Sequence, residues 1–289
     1  MSSQDICDLG GGRPSARPCP WSDRQLDRQL DRQPDRQPGS LVATVGLVVD
    51  AIFEHPRLAG IYDALDPDRS DLGLYADIAH ELDAHRVLDI GCGTGTFALL
   101  LADRGREVVA VDPAAASLDV ARGKAGADRV RWVHGDVTAL PPMQVDLATM
   151  TANVAQAIVD PAHWDATLRG AYSALRAGGH LVFESRDPAH RAWREWNRAS
   201  SYSTAAIPGV GTLESWVELT DVTLPLVSFR WTWVFRSDGR TLTSDSTLRF
   251  RSREEIEAGL ADNGFVVAGV RDAPDRPGRE MVFVARRAD

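Results

Sequence analysis

The chain has 289 residues, of which 44% are apolar, and its 32 basic and 41 acidic residues give a net charge of −9. This composition supports a sizeable buried core and excludes collagen-like, wholly disordered and disulfide-scaffold proteins. The acidic balance leaves no global field that would attract nucleic acid or an anionic membrane. We therefore expect neither as a partner.

Cysteine usage and hydropathy indicate the compartment. The three cysteines, Cys7, Cys19 and Cys92, cannot close a disulfide framework, and their spacing fits no two-plus-two metal pattern. The apolar run over residues 41–53 contains Asp50 and is shorter than the roughly 20 residues that span a membrane. We expect a cytoplasmic protein with no metal site, no membrane segment and no secretion signal.

The N-terminal segment repeats a four-residue unit over residues 23–38, Asp-Arg-Gln-Leu twice and then Asp-Arg-Gln-Pro twice. Such a segment has almost nothing to bury, so it cannot offset the entropy of ordering its backbone. Residues 1–40 are therefore predicted to be a disordered extension, and whether they belong to the native product stays open. Residues 41–289 are predicted to form one domain.

From Val87 onward, short β-branched runs alternate with helical stretches, which is typical of a parallel sheet with crossover helices. Gly178-Gly179 is predicted to stop the third helix. The predicted strands are residues 86–90, 107–111, 129–133, 145–150 and 180–184, and the helices are residues 97–104, 114–124 and 164–176. This pattern predicts a Rossmann-like, doubly wound α/β fold with a mostly parallel, seven-stranded sheet.

After the fifth strand, residues 187–251 are predicted to form an antiparallel β insert on the substrate side. Its strands are residues 213–221, 227–236 and 241–251, with Asp238-Gly239 as a two-residue hairpin turn. A capping box, Ser252 to Glu255, then begins a helix that ends at Gly264. The last two strands are residues 265–270 and 280–285.

The segment from Val87 to Gly95 leads a strand through a turn with glycine at alternate positions into a helix. Gly91, Gly93 and Gly95 allow backbone to approach a ligand closely, because glycine has no Cβ and accepts positive φ. Asp89 lies in an apolar strand, where an unpaired carboxylate is costly to bury, so it should have a hydrogen-bonding duty.

Acidic residues also end the next two strands. Asp112 can accept both hydroxyls of a ribose or cap the following helix. Asp136 can accept from an adenine amino group or serve as a turn residue. Three acidic strand ends favour an adenosine without phosphates, because a pyrophosphate would be repelled.

These motifs, from Val87 to Glu184 and on through the last helix and strands, resemble the class I S-adenosylmethionine-dependent methyltransferases. The resemblance implies S-adenosyl-L-methionine as the cofactor, with the glycine turn and Asp89 at its methionine moiety and Asp112 at its ribose. It also implies adenine contacts from Asp136 and Val137, and Asn153 near the methionine end or the substrate. Residues 41–83 would form an N-terminal helical lid that carries Tyr62 and Tyr75. Cys92 lies within the cofactor turn but favours packing over a nucleophilic role.

The acceptor side is less well defined, and no catalytic base is evident. Phe229, Trp231, Trp233 and Phe235 share one strand face by the period of two. They form the core of the insert or an oligomer interface, or else some of them, Trp231 and Trp233 above all, roof an acceptor pocket. The pocket edge would then hold Arg186, His190 and Arg194.

We therefore predict an enzyme that transfers a methyl group to O or N of a small organic molecule. An NAD(P)-dependent oxidoreductase is one alternative, although Gly95 falls one place too early for Gly-x-Gly-x-x-Gly. A non-catalytic cofactor-binding protein is another. The acceptor and the oligomeric state stay open, with a free strand edge as a candidate homodimer surface.

Overall fold

The computed structural model describes residues 49–288. The predicted disordered extension, residues 1–40, and the first part of the predicted lid, residues 41–48, lie outside the described residues. Everything below concerns the described part of the chain.

A seven-stranded sheet forms the centre of the domain. Its strands are β1 (Arg86–Ile90), β2 (Glu107–Asp112), β3 (Val130–His134), β4 (Val145–Met150), β5 (Leu175–Arg186), β10 (Phe265–Asp272) and β11 (Glu280–Arg287). They lie in the order β10-β11-β5-β4-β1-β2-β3. Only β11 runs against the other strands of this sheet, because it pairs antiparallel with both of its neighbours. The predicted fold class is confirmed.

Helices cover both faces of this sheet. Four precede it: α1 (Ala51–Glu54), α2 (Pro56–Ala59), α3 (Tyr62–Leu65) and α4 (Leu72–Glu81). The others are α5 (Thr96–Asp103), α6 (Ala115–Arg122), α7 (Val154–Ala157), α8 (Pro161–Ala174), α9 (Arg198–Ser201) and α10 (Arg253–Asp262). Ser252 accepts a hydrogen bond from the Glu255 amide and Gly264 follows α10, as the sequence predicts.

The predicted helix stop at Gly178-Gly179 is wrong. Helix α8 already ends at Ala174, and Leu175 pairs with Val145 as the first residue of β5. The register then shifts between β4 and β5, and the two glycines occupy this irregularity. Gly178 has a φ of 70°, and a Cβ on Gly179 would lie 3.0 Å from the Asp146 carbonyl oxygen. The glycines therefore permit a distorted strand rather than ending a helix.

The predicted insert contains a separate four-stranded antiparallel sheet. Its strands are β6 (Ser203–Ile207), β7 (Gly211–Thr223), β8 (Leu226–Phe235) and β9 (Thr241–Arg249), and they lie in this order in the sheet. Sequence patterns missed β6, whose small and polar residues give weak strand signals. They also extended β9 two residues too far.

The hairpin between β8 and β9 is present, but its predicted two-residue turn is wrong. The Phe235 amide donates to the Arg240 carbonyl at 2.8 Å, which leaves residues 236–239 as a four-residue loop. Asp238 is held instead by Arg57, at 2.7 Å between Oδ2 and Nη1. This long-range ion pair ties the loop to α2.

The N-terminal helices pack on one face of the insert sheet. Trp233 and Phe235 are buried there, 2% and 0% exposed, with Leu213 of β7. The helices contribute Ile52, Leu58 and Ile61 to the same cluster. Part of the aromatic face on β8 thus forms a core between the insert and the N-terminal helices.

In the described part of the chain, no helix is both long enough and apolar enough to cross a membrane. Among the same residues, no group of three or more His, Cys, Asp and Glu side chains could hold a metal ion.

We expect Trp233→Ala to lower the free energy of unfolding by about 3–4 kcal/mol, because it leaves a cavity between the sheet and the N-terminal helices. Trp216, half-buried on the opposite face and stacked on Tyr202, is the matched control. Trp216→Ala should cost less than about 1.5 kcal/mol. Urea denaturation measures both, and equal losses would contradict this assignment of the core.

Candidate functional site

The strand order reverses between β4 and β1, and we call the edge formed there by the carboxyl ends of the parallel strands the crevice. Ligands of doubly wound sheets bind at this point. The glycine turn follows β1, and the turn at residues 151–153 follows β4. The predicted cofactor residues therefore meet at one edge of the sheet.

The three glycines of the turn all have positive φ, but they do different work. A Cβ on Gly91 would collide with the Val154 side chain, and one on Gly95 would collide with the Trp132 ring. A Cβ on Gly93, where φ is 52°, would meet nothing within 4 Å. Gly91 and Gly95 thus permit close packing against the Val154 and Trp132 side chains, whereas Gly93 leaves open space beside the backbone.

Asp112 fastens this turn. Its Oδ2 accepts from the Gly93 amide at 2.7 Å, and its Oδ1 accepts from the Ala114 amide at 2.8 Å, just before α6. Burial raises the pKa of this carboxyl, while the two amides oppose the shift. Asp112 thus ties Gly93 of the turn to Ala114, the N-cap residue of α6.

Asp136 begins the short 3₁₀ helix Val137–Ala139 and accepts from the Thr138 amide at 2.8 Å. The adjacent Val137 is buried, with its side chain against Gly170 of α8. Asp136 therefore acts as a turn residue, and its second carboxylate oxygen makes none of these contacts.

Asp89 is 1% exposed at the end of β1, on the same sheet face as Thr149 of β4. Its Oδ1 accepts from the Thr149 hydroxyl at 3.0 Å, but its Oδ2 is buried without a hydrogen-bond partner. Burial raises the pKa of Asp89 to about 7, and the nearby Asp112 and Glu184 add to the shift. This carboxylate needs a donor that the protein does not supply.

Asn153 presents a second unpartnered acceptor. Its Oδ1 is buried without a hydrogen-bond partner, and its backbone is left-handed, with φ 65° and ψ 24°. The open backbone at Gly93 and the two acceptors on Asp89 and Asn153 suit a ligand with an ammonium group. Cys92 takes no such part, because it packs in the core beside the turn, where burial raises the pKa of its thiol.

Sequence reasoning missed Glu184, which lies near the end of β5 and is 2% exposed. Its Oε2 accepts from the Tyr75 hydroxyl at 2.6 Å, and its Oε1 accepts from the Asn153 amide. The signal was available: Glu184 follows the apolar run Leu181 to Phe183, and a lone carboxylate in a buried strand requires partners.

Arg186, two residues further on, points to the same region as Glu280 and Gln156. Its guanidinium lies 3.4 Å from Glu280 Oε1 and also donates to Gln156 Oε1 at 3.4 Å. Burial lowers the pKa of Arg186, since it disfavours the charged form.

Three half-buried rings on and beside β8 form what we call the aromatic wall: Trp196, Phe229 and Trp231. Arg186 lies 5.7 Å from the Trp196 ring, which packs edge-on against Phe229 at 4.7 Å. Trp231 is two residues along the same strand face. Trp233 stacks on Trp231 but is buried beneath α1 and α2. His190 and Arg194, the other two predicted pocket residues, lie exposed on short 3₁₀ segments.

The N-terminal helices reach the glycine turn through Asp63 of α3. Its Oδ1 accepts from the Thr94 hydroxyl at 2.6 Å, and its Oδ2 pairs with Lys124, the only lysine of the chain, at 2.6 Å. The neighbouring Tyr62 packs against Phe53, with ring centroids 5.7 Å apart, and burial raises its pKa. Tyr75 of α4 instead packs in the core against Phe97, with ring centroids 6.1 Å apart.

Residues 87–179 match a family model described as "Methyltransferase domain". The cypemycin N-terminal methyltransferase of a Streptomyces species is 38% identical over 109 residues, which cover 37% of this chain and 44% of that protein. The malonyl-[acyl-carrier protein] O-methyltransferase of Serratia marcescens is 34% identical over 134 residues, covering 45% and 49%. The chain thus spans about half of these relatives or less.

Solved structures share the fold over most of the chain. The CcbJ methyltransferase of Streptomyces caelestis, 21% identical, superposes with a TM-score of 0.67 and covers 80% of this chain and 96% of that one. The sugar N-methyltransferase KedS8 of a Streptoalloteichus species, 18% identical, gives 0.65, covering 87% and 100%. These structures show that the chain shares their fold, and within that fold residues 87–179 are similar to a methyltransferase domain.

Proposed function

We propose that this protein transfers a methyl group from S-adenosylmethionine to O or N of a small organic molecule. The observation that carries the proposal is the crevice at the strand-order reversal. There the open backbone at Gly93 lies beside two buried acceptors without partners, Asp89 Oδ2 and Asn153 Oδ1.

These residues suit the donor chemically. S-adenosylmethionine supplies an activated methyl group on a cationic sulfonium when it is bound. Asp89 and Asn153 would accept from its ammonium group, and Asp112 would hold the ribose hydroxyls through its remaining lone pairs. Asp136 and the backbone of Val137 would contact adenine. A nicotinamide cofactor fits less well, since its pyrophosphate would lie among acidic strand ends.

The acceptor side is proposed to lie between this crevice and the aromatic wall. Trp196, Phe229 and Trp231 offer flat apolar surface, and Arg186, whose contacts with Glu280 and Gln156 are each 3.4 Å long, can offer donors to an anionic or carbonyl oxygen. Named relatives include both N- and O-methyltransferases, so the proposal covers both atoms. Methyl transfer is a displacement at the methyl carbon, so alignment of the donor and the acceptor in a site that excludes water can supply much of the rate enhancement.

The proposal also includes the domain bounds, the class of acceptor, the location and the oligomeric state. The catalytic domain would comprise residues 41–289, with residues 41–83 as a lid and residues 187–251 as the substrate-side insert. The net charge of −9 argues against nucleic acid as the acceptor, and a cytoplasmic location fits the cysteine usage. A homodimer would use a free edge of the insert sheet, whose outer strands are β6 and β9.

Two glycine substitutions separate donor binding from folding. Gly93→Ala should cost only about 1 kcal/mol of stability, from its positive φ, yet fill the space left for the donor. We expect it to weaken S-adenosylhomocysteine binding at least about tenfold in calorimetry. Gly95→Ala should instead lower the free energy of unfolding by about 3 kcal/mol, because its Cβ collides with Trp132. Wild-type affinity in Gly93→Ala would contradict the donor site.

The raised pKa of Asp89 makes donor binding depend on pH. The ammonium of S-adenosylhomocysteine binds the ionised carboxylate, and with a pKa of about 7 roughly a tenth of Asp89 is ionised at pH 6. We therefore expect the affinity to fall by up to about tenfold from pH 8 to pH 6. Asp89→Asn should flatten this dependence and weaken binding at pH 8. An unchanged slope in the variant would show that another group titrates.

The aromatic wall is tested once turnover is found in a panel of phenols, amines and carboxylates. Trp231→Ala should raise the acceptor KM about fivefold or more through lost ring contact, and leave the S-adenosylmethionine KM unchanged. Trp216→Ala, on the opposite face of the sheet, is the control. Unchanged acceptor kinetics in a folded Trp231→Ala would contradict the wall, and binding without turnover across the panel would favour a non-catalytic protein.

A further inference from the structure

Glu184 is the most deeply enclosed carboxylate that the proposed chemistry leaves without a role. It lies on the same sheet face as Asp89 and Thr149 and is 2% exposed. A buried charge in such a place lowers stability unless donors surround it. Its partners therefore indicate what the residue does.

Those partners come from two separate parts of the chain. Tyr75, on the N-terminal helix α4, donates its hydroxyl to Oε2 at 2.6 Å. The backbone amide of Asn153, in the turn after β4, donates to Oε1. One carboxylate thus joins α4 to the turn after β4.

The turn after β4 needs such support. Ala152 and Asn153 both have positive φ, 58° and 65°, which disfavours any residue with a Cβ. Two left-handed residues in succession persist only when contacts outside the turn hold them. The conformation leaves Asn153 Oδ1 buried and without a partner.

We propose that Glu184 is a positioning residue, which holds the left-handed turn at Ala152 and Asn153 and thereby fixes the Asn153 side chain at the donor site. The proposal rests on the proposed function, since it takes the crevice to bind S-adenosylmethionine. Tyr75 completes the arrangement, because it satisfies the second oxygen and fixes the rotamer of the carboxylate. Docking of α4 and formation of the donor site are therefore linked.

The charges around Glu184 explain why Tyr75 matters. Glu280 of β11 and Asp89 of β1 oppose its ionisation, whereas Arg186 and Arg276 favour it. Burial raises the pKa of Glu184 to about 7. The Tyr75 hydroxyl and the Asn153 amide both favour the ionised form, in which both oxygens accept hydrogen bonds.

Three variants of the full chain test the role. Glu184→Met keeps the length of the side chain and leaves both donors unpaired, Glu184→Gln keeps one acceptor oxygen, and Tyr75→Phe removes one donor. Two variants are matched controls. Tyr172→Phe removes a hydroxyl that contacts Ala288, and Glu214→Gln removes a carboxylate that pairs with Arg236 in the insert sheet. The readouts are hydrogen exchange of the Asn153 amide in ligand-free protein, by NMR, and S-adenosylhomocysteine affinity by calorimetry.

We expect Glu184→Met to speed exchange of the Asn153 amide at least about tenfold and to weaken binding by a similar factor. Glu184→Gln should recover most of both losses, and Tyr75→Phe should cost about three- to tenfold in affinity. The controls should match wild type. If Glu184→Met does not fold, faster exchange at Asn153 in Tyr75→Phe carries the same prediction.

Wild-type exchange at Asn153 in folded Glu184→Met, or in Tyr75→Phe, would overturn the positioning role even if donor binding is intact. Absence of S-adenosylhomocysteine binding in wild type would instead refute the proposed function. The exchange measurement would then still decide whether Glu184 holds the turn.

Discussion

The cost of burying negative charge at the carboxyl edge of the sheet governs much of this structure. Asp112, Asp89 and Glu184 lie at the ends of three strands, each at most 7% exposed. Each must be met by donors from elsewhere, and those donors fix the surrounding loops. Asp112 thereby fastens the glycine turn, Asp89 engages Thr149 of β4, and Glu184 joins α4 to the turn after β4.

The sequence was sufficient for the parts that depend on local patterns. Alternating β-branched and helical runs predicted the parallel core, and they also predicted that Asp89 and Asp112 lie at the carboxyl ends of neighbouring strands. The same logic that singled out Asp89 in its apolar strand applied to Glu184 as well. No glycine turn follows β5, however, so the sequence carries no second signal of a ligand site at that strand end.

The remaining features depend on contacts between distant residues. Gly178 and Gly179 resemble a helix stop locally, but pairing of Leu175 with Val145 turns them into a strand irregularity. Asp238-Gly239 resembles a two-residue turn locally, but the pairing of Phe235 with Arg240 makes it part of a four-residue loop, where Arg57, 181 residues earlier, contacts the aspartate. Trp233 and Trp231 share a strand face and both pack against the core formed with α1 and α2, but of the two only Trp233 is fully buried there.

The N-terminal helices contact both the glycine turn and the insert sheet. Asp63 holds Thr94 in the glycine turn, while the Ile52 amide donates to Ser244 of the insert sheet at 3.0 Å and Leu58 packs among the insert's core residues. Displacing these helices breaks contacts on both sides together. By thermodynamic reciprocity, a ligand at the glycine turn that favours the docked helices strengthens binding of a ligand at the insert sheet that favours them too, so two such ligands should bind with positive cooperativity.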